Sequence, residues 1–116
     1  MGSPAGGTGR APGRLAFVAG QGGEDARGAY SPDFAAQVGR AYANLAAVLE
    51  AMGARPEQVV KQTVHVVDHQ MWMLGVLTGA ISRMFGEHLP AQTLVPVPRL
   101  ATDGMLFEVD AGVCLG

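Results

Sequence analysis

The chain has 116 residues, 48% of them apolar and only 16% charged, with a formal net charge of −2. A chain of this length forms one domain, and its weak charge gives no electrostatic reason to expect a nucleic-acid partner. No apolar run is long enough to span a membrane and Cys114 is the only cysteine, so we expect a cytoplasmic protein with no disulfide framework and no membrane contact. So few charges also favour a homo-oligomer, because a monomer has difficulty covering its apolar side chains.

The N-terminal residues are rich in glycine and proline, a composition that buries too little apolar surface to fold. We therefore predict a flexible tail over residues 1–13 and a single domain over residues 14–116. The domain begins with Arg14 to Ala19, a short apolar run that predicts a strand. The glycine-rich run of residues 20–23 that follows predicts a loop.

A long amphipathic helix is predicted next. The segment Ser31-Pro32-Asp33 supplies a capping hydroxyl, a proline suited to the first helical position and an acid for the first turn. Apolar residues then recur at helical spacing until Gly53, a common helix stop. Gln37 and Asn44 lie off this apolar stripe, which predicts that both face solvent.

Val59 to Val67 is a valine-rich run with apolar residues on both faces, which predicts a strand covered on two sides. His65 within it is most simply a packed residue with one hydrogen bond, the alternative being a functional role. Asp68 is predicted to cap a second helix that ends near Gly86.

Trp72 lies between two methionines in the first turn of the second predicted helix. Such a cluster suits core packing, the alternative being an apolar wall beside a ligand. The three histidines, His65, His69 and His88, share no spacing typical of metal ligands, so we expect no metal site.

Two strands are predicted in the C-terminal third. The prolines within residues 94–98 cannot donate to a ladder, which favours an edge strand. Met105 to Cys114 predicts a further strand with Glu108 and Asp110 on one face. Its other face carries Phe107, Val109, Ala111 and Val113.

The order strand, helix, strand, helix, strand, strand predicts an α+β fold in which two helices pack on one face of a mixed sheet. The valine-rich strand also makes the opposite face too apolar to leave in water. We therefore expect that face to contact another subunit.

Five segments of the chain stand in an order and spacing that resemble the Rid family, also called YjgF/YER057c/UK114. The likeness covers residues 10–115, nearly the whole chain. The segments are Phe17 to Gln21, Val59 to Asp68, Pro90-Ala91-Gln92-Thr93, Arg99-Leu100, and Phe107 to Ala111.

The resemblance implies a chorismate-mutase-like α+β fold and a homotrimer with a small-molecule ligand in the clefts between subunits. It also implies hydrolysis of reactive enamines and imines released by pyridoxal-phosphate enzymes, giving a 2-oxo acid and ammonia without metal or cofactor. In the family an arginine binds the substrate carboxylate and a glutamate positions the attacking water.

Carried over by position, the resemblance makes Glu108 the water-positioning carboxylate, with Asp110 a weaker candidate. Gln92 stands where the family has its arginine, and this is the main departure. The remaining substrate-binding candidates are Thr93 and the backbone near Gly20 as donors, Arg99 as a cation and Trp72 as an apolar wall.

Three functions remain open from the sequence. The first is an enzyme acting on an imine, enamine or related carbonyl-derived substrate, with Glu108 as general base and Gln92 as a neutral donor. The second is a binding or regulatory trimer that uses the same cleft without chemistry. The third is pericyclic chemistry, which requires cationic side chains, and Arg99 is the nearest candidate.

Overall fold

The structure, a computed structural model, describes residues 13–116. One mixed sheet of four strands carries two helices on one face, which confirms the predicted architecture. All of the predicted flexible tail except Gly13 lies outside the described residues. The strands are β1 (Arg14–Gly22), β2 (Val59–Val67), β3 (Ala91–Val97) and β4 (Phe107–Leu115), the helices are α1 (Phe34–Ala51) and α2 (Met73–Phe85), and a single 3-10 turn (Pro56–Gln58) precedes β2.

The strands are arranged in the order β1-β4-β2-β3, with β4 antiparallel to both of its neighbours and β3 parallel to β2. The proline-containing β3 is therefore an edge strand, as predicted. Within residues 13–116, no helix is both long enough and apolar enough to cross a membrane.

The core lies between the sheet and the two helices. Strand β4 alternates as predicted, with Phe107 and the residues two, four and six positions later buried beneath the helices. The Phe107 ring lies 6.1 Å from that of Phe34 and 5.8 Å from that of Tyr42, both on α1, measured between ring centroids. These contacts fix which face of β4 is turned towards the helices.

Helix α1 begins two residues later than predicted. Asp33, and not Ser31, is the N-cap, because its carboxylate accepts a hydrogen bond from the backbone N–H of Ala36 at 3.0 Å. The Ser31 hydroxyl instead accepts from the N–H of Asp33 at 3.1 Å. The helix ends just before Gly53, whose φ of +74° is the left-handed conformation that terminates helices.

The predicted cap of α2 is wrong. Asp68 has a φ of +56° and turns the chain as β2 ends, so α2 starts only at Met73. Aspartate adopts the left-handed backbone conformation more readily than most residues. Asp68 therefore forms the turn after β2 and does not cap α2. The predicted end near Gly86 is confirmed.

The predicted exposure of Gln37 is also wrong, because its side chain is completely buried. Its Nε2 donates to the carbonyls of Ser31 and Gly104, both at 2.7 Å, and its Oε1 accepts from the N–H of Leu106 at 2.8 Å. The Gln37 side chain thus supplies hydrogen-bond partners for three backbone groups that find none within a helix or a strand. Asn44 is half-buried and donates to the carbonyls of Gly22 and Glu24.

Candidate functional site

The face of the sheet turned away from the helices, called the open face below, carries the carboxylates singled out in the sequence. Alternation along each strand assigns every second residue to it. Its residues are Leu15 and Phe17 on β1, Lys61, Thr63, His65 and Val67 on β2, Ala91, Thr93, Val95 and Val97 on β3, and Glu108, Asp110, Gly112 and Cys114 on β4.

Glu108 lies against the backbone of β1 at Gly20. The ladder between β1 and β4 shifts register between Val18 and Gln21, and this bulge brings Gly20 beneath the carboxylate. A Cβ atom on Gly20 would lie only 2.3 Å from Glu108 Cδ, so only glycine leaves room for this side chain. The predicted loop at residues 20–23 is therefore wrong in part, because β1 continues through the bulge to Gly22.

His65 lies directly opposite Glu108 in the antiparallel ladder between β2 and β4. Its Nδ1 is 3.8 Å from Glu108 Oε1, and the two side chains are 26% and 24% exposed. Among the described residues this Nδ1 is buried without a hydrogen-bond partner. The structure therefore joins a carboxylate and an imidazole that the sequence analysis treated separately.

Thr93, a predicted substrate-binding residue, also lies on the open face. It pairs with Thr63 in the parallel ladder, and its hydroxyl accepts a hydrogen bond from Lys61 Nζ at 2.7 Å. Lys61 also donates to the carbonyl of Gln62 at 3.3 Å. The open face thus has a cation at one end of β2 and the His65–Glu108 pair at the other.

Gln92 lies on the opposite side of the sheet from Glu108. It pairs with Gln62, which is completely buried under the helices, and Gln62 Nε2 donates to Gln92 Oε1 at 3.2 Å. Tyr42 completes this chain by donating its hydroxyl to Gln62 Oε1 at 2.7 Å. One protomer therefore does not bring Gln92 and Glu108 together around a small ligand.

The hydrogen bonds that link Tyr42, Gln62 and Gln92 require that the tyrosine hydroxyl stays protonated. Burial raises the pKa of the Tyr42 hydroxyl well above its ordinary value, while the hydrogen bond to Gln62 acts more weakly in the opposite direction. The hydroxyl is therefore a neutral donor at every physiological pH. It fixes the orientation of Gln62, which in turn directs Gln92.

The other two predicted site residues lie away from Glu108 in one protomer. Arg99 makes an exposed ion pair with Asp103, at 2.9 Å between Nη2 and Oδ1, in the loop after β3. Trp72 is 61% exposed and packs edge-on against Phe34, with ring centroids 5.8 Å apart, in the helical layer. A single chain therefore does not bring Arg99 or Trp72 into one site with Glu108.

An apolar hollow of about 420 Å³ adjoins Gly20 on the open face. Large apolar side chains surround it, and Phe17 is 82% exposed, Leu15 64% and Val60 50%. Gly112 forms part of its floor, next to the Phe17 ring. No group of three histidine, cysteine or acidic side chains that could hold a metal ion occurs within residues 13–116.

His65 and Lys61 were not among the predicted site residues, although a functional role for His65 was the alternative to packing. One signal was present for His65, a titratable residue within an otherwise valine-rich strand. No comparable signal identifies Lys61, because its contact with Thr93 depends on the parallel pairing of two strands separated by a helix.

A mixed four-stranded sheet with two helices packed on one face defines the class of the protein, a small α+β domain. The chain belongs to the family described as Endoribonuclease L-PSP, whose model matches residues 8–114. It is 36% identical over 105 residues to a RutC family protein of Pyrococcus abyssi, across 85% of this chain and 77% of the relative.

Solved structures agree with this assignment. A member of the Rid protein family from Yersinia pestis has a TM-score of 0.85 and 33% identity, covering 90% of this chain and 80% of that one. RidA from an Antarctic Psychrobacter species has a TM-score of 0.80 and 26% identity, covering 89% and 82%. The resemblance to the Rid family is therefore confirmed.

Proposed function

We propose that the protein hydrolyses an imine, an enamine or a related small carbonyl-derived substrate, with Glu108 as the general base. The observation that carries the proposal is the placement of this carboxylate, which is three-quarters shielded, held over Gly20 and next to His65. The same reaction class is the one that the resemblance to the Rid family implies.

The chemistry requires a base that is close to a bound water. The water oxygen adds to the imine carbon while one of its protons passes to Glu108. Glu108 returns that proton to the nitrogen, which gives an amino alcohol. The carboxylate then takes the hydroxyl proton and passes it to the same nitrogen as the C–N bond breaks, which leaves a carbonyl compound and ammonia. A carboxylate that is shielded but not fully buried can take up this proton and return it.

We further propose that three chains associate through their open faces and so complete the site. The support is the exposed apolar surface around Phe17, which one protomer leaves in water, and the trimeric assembly that the family resemblance implies. This association would also bring residues from neighbouring protomers to the edge of the Glu108 site.

We expect the wild-type protein to have three times the 12.0 kDa mass of one chain in size-exclusion chromatography with light scattering. Phe17→Asp places a charge in the middle of the open face, so its mass is expected to fall towards that of a single chain. Leu89→Asp is the matched control, because Leu89 is 62% exposed in the loop before β3. A wild-type mass of one chain at micromolar concentration would contradict the trimer.

Gln92 bears on the class of substrate. An amide lacks the charge and the paired donors with which arginine holds a carboxylate. Each charge-assisted hydrogen bond contributes about 1.5–3 kcal/mol, so its absence lowers affinity about 10- to 150-fold. In the proposed trimer, where Gln92 of one chain would reach the Glu108 site of another, the preferred substrate is therefore neutral at the end next to Gln92, or carries its acid elsewhere.

We therefore expect slow hydrolysis of 2-iminobutanoate and faster hydrolysis of a neutral analogue such as its methyl ester. The 2-iminobutanoate can be generated in situ with an amino-acid oxidase. Gln92→Arg is expected to raise kcat/KM for the carboxylate substrate about tenfold or more, whereas Gln70→Arg, at an exposed position before α2, leaves it unchanged. Equal wild-type rates for the acid and the ester would contradict this assignment.

RNA cleavage, the activity that the family description names, has less support at this site. A phosphate backbone requires several lysine or arginine contacts. The described open face carries two carboxylates, Glu108 and Asp110, against the one lysine, Lys61. Incubation with single-stranded RNA therefore serves as the negative control for the imine assay.

A further inference from the structure

The Nδ1 atom of His65 is buried and lacks a hydrogen-bond partner among the described residues. Its nearest charged atom is Glu108 Oε1 at 3.8 Å, which is too long for an N–H···O hydrogen bond. Buried polar groups are nearly always paired, so an unpaired imidazole nitrogen facing a carboxylate requires an explanation. The backbone of β2 and β4 fixes the two residues opposite each other, so only their side-chain torsions separate the two atoms.

We propose that His65 positions Glu108 in the assembled protein by donating a hydrogen bond from Nδ1 to Oε1. The role rests on the proposed hydrolysis, because Glu108 acts on the substrate there and His65 acts only through Glu108. Hydrogen bonds of catalytic groups are often long in unliganded enzymes and shorten in the complex. Here a movement of about 1 Å brings the pair within the usual range of 2.7–3.2 Å.

This hydrogen bond has two consequences for the Glu108 carboxylate and one for the His65 imidazole. It is held between the Gly20 backbone and the imidazole, which restricts it to one rotamer. Oε1 is engaged by His65, so Oε2 is left to accept the proton of the attacking water. The histidine must also carry its proton on Nδ1, which leaves Nε2 as an acceptor.

Substitutions at His65 separate this role from simple packing. In asparagine the amide nitrogen occupies nearly the place of Nδ1, whereas in glutamine it reaches towards the place of Nε2. We expect His65→Asn to keep kcat within about threefold of wild type. His65→Gln and His65→Phe are expected to lower kcat about 10- to 100-fold with little change in KM, a loss typical when a residue that orients a catalytic group is removed.

A second measurement does not depend on turnover. Long-range ¹H–¹⁵N NMR correlations report which imidazole nitrogen of His65 carries the proton. We expect the Nδ1–H tautomer in the assembled wild-type protein, and the Nε2–H tautomer in Glu108→Ala, which removes the acceptor. Circular dichroism and light scattering of each variant verify that fold and assembly are kept.

The two measurements distinguish failure of this inference from failure of the proposed function. An Nδ1–H tautomer that depends on Glu108, in a protein without imine turnover, would support the pairing and overturn the hydrolysis. Wild-type kcat in His65→Phe, or the same tautomer with and without the Glu108 carboxylate, would overturn the positioning role while leaving the hydrolysis intact.

Discussion

Glu108→Gln is expected to lower kcat for imine hydrolysis about 100- to 10,000-fold, the range for loss of a general base. The amide has nearly the shape of the carboxylate and fits over Gly20, but it cannot accept the proton of the attacking water. Fold and assembly are therefore expected to persist. Asp110→Asn is the matched control, because Asp110 lies on the same face of β4, opposite Thr63, and we expect its kcat to stay close to wild type.

Gly20→Ala provides an independent test of the same carboxylate. The added methyl group would lie 2.3 Å from Glu108 Cδ, so the side chain must move. Because the clash is with a flexible side chain and not with backbone, we expect most of the activity to be lost without unfolding. Turnover that survives in both variants would contradict the role of Glu108. Ligand affinity that changes in a protein without turnover would instead favour a binding or regulatory trimer.

Gln37→Leu is expected to destabilise the protein by about 1.5–4.5 kcal/mol, because each hydrogen bond contributes about 0.5–1.5 kcal/mol and three backbone groups lose theirs. These are the carbonyls of Ser31 and Gly104 and the N–H of Leu106. Leucine is similar in size to glutamine, so the loss comes from hydrogen bonding and not from a cavity. Urea unfolding at equal protomer concentration measures the difference, since association also contributes to stability.

Arg40→Leu is the control on the same helix. Arg40 is exposed and less than one turn further along α1, so its replacement is expected to change the free energy of unfolding by about 0.5 kcal/mol or less. Similar stabilities of the two variants would contradict the structural role of Gln37. Because Leu106 precedes Phe107 and Glu108 in the chain, the same hydrogen bond holds the start of β4 where the candidate site begins.

The sequence by itself determined the order of the elements, the two faces of β4 and the C-terminal ends of both helices. These features depend on local rules that hold for any short segment: alternation in a strand, recurrence every three to four residues in a helix, and glycine where φ is positive. The prolines of β3 likewise marked it as an edge strand, because a missing donor is a property of the residue itself. The spacing of several such segments was enough to recognise the family.

The tertiary structure alone decided how distant segments meet. Gln37 lies off the apolar stripe of α1, and its burial depends on backbone groups almost seventy residues away. The bulge that brings Gly20 beneath Glu108, and the pairing of Glu108 with His65, depend on the registers of β4 with its two neighbours. Gln92 and Glu108, which the resemblance placed in one site, lie on opposite faces of one sheet because the register of β3 with β2 sets Gln92 beside the buried Gln62. The apolar pattern of a strand determines which of its faces is buried, but the residues that lie opposite it depend on a partner strand that is distant in the chain.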